Sequence, residues 1–272
     1  MINVGLLRKT FYELWPTTAL FATLLFVFEA LVAYVLPLLE EQYPSGLMQM
    51  SFVQAFIQAM LGAEVPPELS PMTFSAFAWA HPVILALVWG HPAICCTRVP
   101  AGEIDCGTID ILLSLPVGRW QILCNETLVW LIGGAVVLVA LAAGNWYGRA
   151  QLDDALELPW ANVMCVLTSL ACLYLAVGGL CYLVAAALDR RGVAITIVFS
   201  FLLGSFLLNY LARLWEPAER LAFLSPMHYY RPLAVLQEGV LPGRDIAVLL
   251  TAAATTWIAA GIVFARRDVC TV

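Results

Sequence analysis

The residues that could do chemistry in this chain are few: a single lysine, Lys9, an isolated acid, Glu29, two histidines that each precede a proline, His81 and His91, and eight cysteines. A phosphate-cradling loop needs a lysine behind a glycine-rich turn. Lys9 has no such turn before it, which excludes nucleotide hydrolysis by this polypeptide in the usual manner. The cysteines, Cys95, Cys96, Cys106, Cys124, Cys165, Cys172, Cys181 and Cys270, form no CxxC and stand at no ligand spacing from a histidine, so they read as small apolar fillers. On a helix His81 and His91 would be about 15 Å apart along the axis and about 80° apart around it, too far to share one metal. They read instead as imidazoles that pair with neighbouring helices while Pro82 and Pro92 bend their own. No Ser/His/Asp nucleophile signature is present. The chain itself is therefore expected to bind no cofactor.

The elements that would hold these residues are set by composition. Of 272 residues 62 % are apolar and 12 % charged, with a mean hydropathy of +0.88, where a soluble domain carries roughly 25 % charged residues. The apolar residues fall in blocks long enough to cross about 30 Å of hydrocarbon as helices, at 17–39, 72–97, 127–147, 159–188, 193–215 and 246–265. Backbone groups in lipid must be satisfied within the segment, and no ten-residue alternation of a membrane barrel is present, so the fold class is all-α, a polytopic membrane protein of six spans in a lipid bilayer. The first block carries Glu29 and no A-x-A-like site follows it, so it is expected to be a retained span rather than a cleaved signal. A charge at that depth costs about 3 kcal/mol or more, so Glu29 must face the interior, either lining a route or closing an interhelical hydrogen bond.

With both ends in the cytoplasm, Arg8, Lys9, Arg98, Arg119, Arg190, Arg191, Arg266 and Arg267 lie inside. Arg149, Arg213, Arg220, Arg231 and Arg244 lie outside, which favours that orientation in the inner membrane. Residues 1–15, with Leu6, Leu7, Phe11, Leu14 and Trp15 on one side, read as an inner interfacial helix feeding the first span at Pro16. The block 47–62 carries Ser51, Gln54 and Gln58 on one face and reads as an outer helix lying flat in the interface. The net charge of −6 with no basic run gives no reason to expect nucleic acid as a partner.

Between the second and third spans the chain reads RVPAGEIDCGTIDILLSLPVGRW from Arg98 to Trp120. Ile104, Ile111, Leu112 and Leu115 make a helical stripe opposite Glu103, Asp110 and Ser114, Gly107 offers a point of close backbone approach, and Pro116 ends the helix. These residues predict one amphipathic helix over about 101–115 at the inner face.

The pattern Glu103, Gly107, Thr108, Leu112, Leu113, Pro116 and Arg119 resembles the segment after the second span in the membrane permeases of ATP-binding-cassette transporters of the type-2 exporter class. The layout is similar too, and the stretch Phe223 to Val240, with Ser225 and Pro226 as N-cap and first helical position, looks like that family's outer insertion (217–240) before the last span. Relatives crowd charges ahead of the glutamate, where this chain has Val99, Pro100, Ala101 and Gly102.

The resemblance implies that 101–115 is a coupling helix docking on a separate cytoplasmic ATPase subunit, which would carry the ATP and Mg. Its contact residues would be Glu103, Gly107, Thr108, Ile111, Leu112, Leu115, Pro116 and Arg119. It implies a second permease copy or a homologous permease, with spans one, two and five facing it, and export as the direction. Glu29 and Asn209 are the candidates for the substrate path. The competing expectation is a membrane-embedded haem- or metal-handling protein using Glu29, His81, His91 and the inner cysteines.

Overall fold

The computed structural model describes residues 3–42, 71–152, 159–212 and 215–268. The outer block 47–62, the acids of 153–158 and Cys270 lie outside them. Among the described residues every regular element is helical, and the all-α expectation holds. The main helices are α1 (Val4–Gln42), α2 (Pro71–Ala80), α3 (Pro82–Cys96), α4 (Ile109–Leu113), α5 (Arg119–Arg149), α6 (Trp160–Ala187), α7 (Arg191–Leu211), α8 (Pro232–Glu238) and α9 (Gly243–Arg266). Five of them are long and apolar enough to cross a membrane, and α3 with the bent segment Arg98–Asp105 makes a sixth candidate.

The first helix does not divide at Pro16. Leu6, Thr10, Leu14, Thr18, Phe21, Leu25, Glu29 and Val32 are all buried, spaced three or four apart, so one face of the helix stays against the bundle from end to end. That continuous seam outweighs the one backbone bond that Pro16 cannot donate. The seam packs on α5, whose own stripe includes Glu126, Gly133, Val137, Leu141, Gly144 and Gly148. Small residues let the two backbones touch: a Cβ at Gly144 would fall 2.4 Å from the Phe26 carbonyl oxygen, and one at Gly148 2.3 Å from that of Ala30.

The second block is not one helix either. It breaks at His81, whose backbone is extended (φ −58°, ψ 130°) ahead of Pro82, as the residue before a proline prefers. Pro92 sits inside α3 without a break. The central element is α6, buried along most of its length and packed by α9 on one side and α3 on the other. Helix α7 is the most peripheral of the long helices after α9, with Val193, Ile197, Phe201, Leu203 and Leu207 exposed.

Two ends of the bundle can be told apart by their hydrogen bonds. At one, residues 9–13, 98–126, 186–191 and 264–267 meet. At the other, the segment between α7 and α9 folds back: the Ser225 hydroxyl donates to the Ser205 carbonyl, Tyr230 to that of Trp79, and Asn162 to that of Leu236. Ser225 does cap Pro226–Tyr229, although as a single 3-10 turn, and α8 ends at left-handed Gly239.

Candidate functional site

The segment after α3 is an elbow rather than the single helix expected over 101–115. A π-turn at Arg98–Gly102 leads into one helical turn, Glu103–Asp105, and the chain then reverses at Gly107 (φ +69°) before α4. No atom lies within 4 Å of a Cβ placed on Gly107, so the glycine serves the left-handed backbone and not a close approach. The reversal is closed by its neighbours. Thr108 donates its N–H to the Glu103 carbonyl at 2.9 Å and its hydroxyl to the Glu103 carboxylate.

Because of the reversal the expected apolar stripe is split. Ile109 and Leu112 are buried, while Ile111 (69 % exposed) and Leu115 (44 %) form a knuckle that points away from the bundle with Pro116 beside it. Of the residues expected to contact an ATPase, Gly107, Ile111, Leu115 and Pro116 therefore lie at the surface. Leu112 is turned into the core, and Glu103 and Arg119 are committed inside the chain. Arg119 donates to the carbonyls of Phe264 and Arg267 at 2.8 and 2.5 Å, and so caps the C-terminus of α9. The indole of the next residue, Trp120, covers Gly261 of the same helix.

Glu103 belongs to a charged cluster that joins three elements. Lys9 donates to it at 3.2 Å and Arg98 at 3.3 Å. Arg98 also pairs with Glu13 of α1 and, at 2.5 Å, with Glu126 of α5, which accepts the Thr10 hydroxyl at 2.6 Å. Burial pushes the Glu103 carboxyl up, but the Thr108 hydroxyl and the Lys9 and Arg98 charges outweigh it and hold it below its ordinary 4.5. On the far side of the elbow Arg191 donates to the Ile94 carbonyl at 2.9 Å, and its N–H donates to Asp105 at 3.2 Å. Between α1, the elbow and α4 lies a groove of about 490 Å³ lined by Lys9, Glu13, Cys106, Thr108, Ile111 and Leu115.

A second cleft, of about 550 Å³, opens between α3 and α7. Its lining of Leu85, Trp89, Phe199, Leu203 and Phe206 is apolar, relieved by Thr196 and Ser200.

The other candidates do not converge. His91 is buried between α1 and α6, with Thr18 at 3.1 Å and the Tyr174 hydroxyl at 2.8 Å from its ring nitrogens. His81 instead caps α3 through Val83 N–H and packs on Phe28 and Phe77. Among the described residues no group of three histidine, cysteine or acidic side chains could hold a metal. Glu29 is paired with Asn145 of α5, whereas Asn209 is half-buried near the end of α7.

The sequence reasoning passed over Glu126, Arg98 as a junction, and Asn145. For Asn145 a signal existed: an amide at membrane depth directly after Gly144 and three residues before Gly148, a close-packing pattern for membrane helices.

A family described as ABC-2 family transporter protein matches residues 12–269, nearly the whole chain. No curated protein matches it.

Proposed function

This chain belongs to the ABC-2 transporter family, and on that premise we propose that it is the permease subunit of a two-component exporter driven by a separate ATPase. The family makes it the membrane component of a transporter and not its catalyst. In the proposed arrangement the end that gathers residues 9–13, 98–126, 186–191 and 264–267 faces the cytoplasm of the inner membrane, both termini included. The knuckle of Ile111, Leu115 and Pro116 enters a recess on the ATPase, which holds ATP and Mg.

The observation that carries this reading is the elbow's construction. An isolated apolar knuckle in water has no stability of its own to offer, yet here the Glu103–Thr108 closure and the Arg98 cluster hold it off the bundle and tie its base to α1 and α5. Such an arrangement passes a displacement of the knuckle into those two spans. The motor must bind the two states of the permease differently, since a ligand indifferent to them shifts nothing. A second copy or a homologous permease completes the path, with α3 and α7 facing it and the apolar cleft between them as the stretch open to substrate.

The experiment is to express the chain with its neighbouring reading frames, capture it, and ask whether a Walker-motif protein comes along. Ile111→Asp, a change at an exposed side chain, is expected to abolish the association while the protein remains inserted. Full transport by the chain alone, with no nucleotide-hydrolysing companion, would overturn the reading.

A further inference from the structure

Glu29 and Asn145 are both wholly buried, facing each other across α1 and α5. The Asn145 amide donates to Glu29 Oε1 at 2.7 Å. That bond leaves two buried atoms without a partner, Glu29 Oε2 and Asn145 Oδ1. With an ionised carboxyl both are acceptors, so neither can serve the other.

Among the described residues nothing else serves them. Glu29 makes no ion pair among the described residues. The phenol of Tyr230 lies within electrostatic reach, but its hydroxyl donates to the Trp79 carbonyl at 3.1 Å. Arg149, one turn beyond Asn145, is engaged with a partner of its own. Both oxygens are closed off from the surface, and the helices touch backbone to backbone at Phe26/Gly144 and at Ala30/Gly148, contacts that bracket the pair. An unpaired carboxylate in such a place is among the most costly groups a membrane protein can carry.

We propose that Glu29 is a proton-binding site, held as the neutral acid with the proton on Oε2 donated to Asn145 Oδ1. The two side chains then form a cyclic acid–amide pair with one hydrogen bond in each direction. One proton taken from water converts the carboxylate to the acid, and no other bond changes. The pair satisfies both orphaned oxygens and removes the charge, and it fastens α1 to α5 at membrane depth. Glu29 is on this assignment a fastener sealed in the seam and not a wall of the substrate route.

The test is the infrared spectrum of the purified chain in phosphatidylcholine vesicles near neutral pH, read with thermal unfolding. The expected result is a protonated-carboxyl C=O band that moves in deuterated water, shifts in Asn145→Leu and is missing from Glu29→Gln. The glutamine variant, which can make the same two bonds with no charge, should melt within about 2 °C of the wild type, and Glu29→Ala several degrees lower. A wild-type spectrum with only ionised carboxylates overturns the assignment without need of any variant. So does a Glu29→Gln melting point as low as that of Glu29→Ala. Neither readout involves a partner subunit, so the permease reading stands or falls separately.

Discussion

The pair α1 and α5 buries carboxylates at two places, and handles them in opposite ways. Near one end Glu126 and Glu103 meet Arg98, with Glu13 and Lys9 toward water. About 24 Å further along α1 from Glu13, by the rise of a helix, Glu29 meets an amide and, among the described residues, no cation. The leftover atoms tell the two apart. In the cluster they are a donor, Arg98 Nε, and an acceptor, Glu126 Oε2, whereas in the pair both are acceptors. The first region can remain charged because opposite charges face one another at the rim of the bundle. The second has no donor left for its two acceptors among the described residues, and an added proton supplies one. On the proposed reading, the junction that would move with an ATPase is built from exchangeable ion pairs, and the junction that would keep two spans together from directional bonds in a close-packed seam.

The comparison can be broken most severely at Arg98. Arg98→Met leaves Glu126 buried without its cation and Glu103 with Lys9 alone, and should cost about 3–5 kcal/mol, read as a loss of folded, inserted protein or a steep fall in melting temperature. If it melts like the wild type, the cluster is not the junction described. Gly148→Val should cost about 1–3 kcal/mol by forcing α1 and α5 apart, and should weaken the Glu29–Asn145 pair while sparing the cluster, visible as a shifted C=O band.

Acid sharpens the contrast further. The Glu103 carboxyl is held below 4.5, so its contribution is complete above 4.5 and is lost as pH falls through its lower folded value. Melting temperature should fall in that window, and Glu103→Gln should blunt the fall. Smaller still, Thr108→Val should lose about 1 kcal/mol, and Lys9→Met, on a half-exposed pair, less than about 1 kcal/mol. A larger loss from Lys9→Met than from Thr108→Val would reverse the roles given to these contacts.

Much of the fold was legible because hydrophobic length and the absence of alternation leave little choice in lipid. What escaped was wherever a local rule and a tertiary seam disagreed. Pro16 reads as a boundary, but the buried face it interrupts continues from Leu14 to Thr18 and on to Phe21. The stripe of Ile104, Ile111, Leu112 and Leu115 is sound for a straight helix. It failed because Gly107 takes a left-handed backbone, which frees Ile111 and buries Ile109 instead. The motif positions were found by pattern, yet their division into inward and outward residues depends on where Lys9 and Arg98 lie in space. Arg119 shows the same limit: its spacing after Pro116 gives no hint that the last helix ends beneath it.

Arg119 and Trp120 are consecutive, and both are anchored on α9, one through carbonyls at its end and the other over Gly261. On the proposed reading, a pull on the stretch before Pro116 would reach the first crossing through Lys9 and Arg98 and the final one through Arg119 and Trp120, like a cord knotted to two posts. The indole at that knot would be an optical gauge of the tug, its emission changing before any cargo has moved.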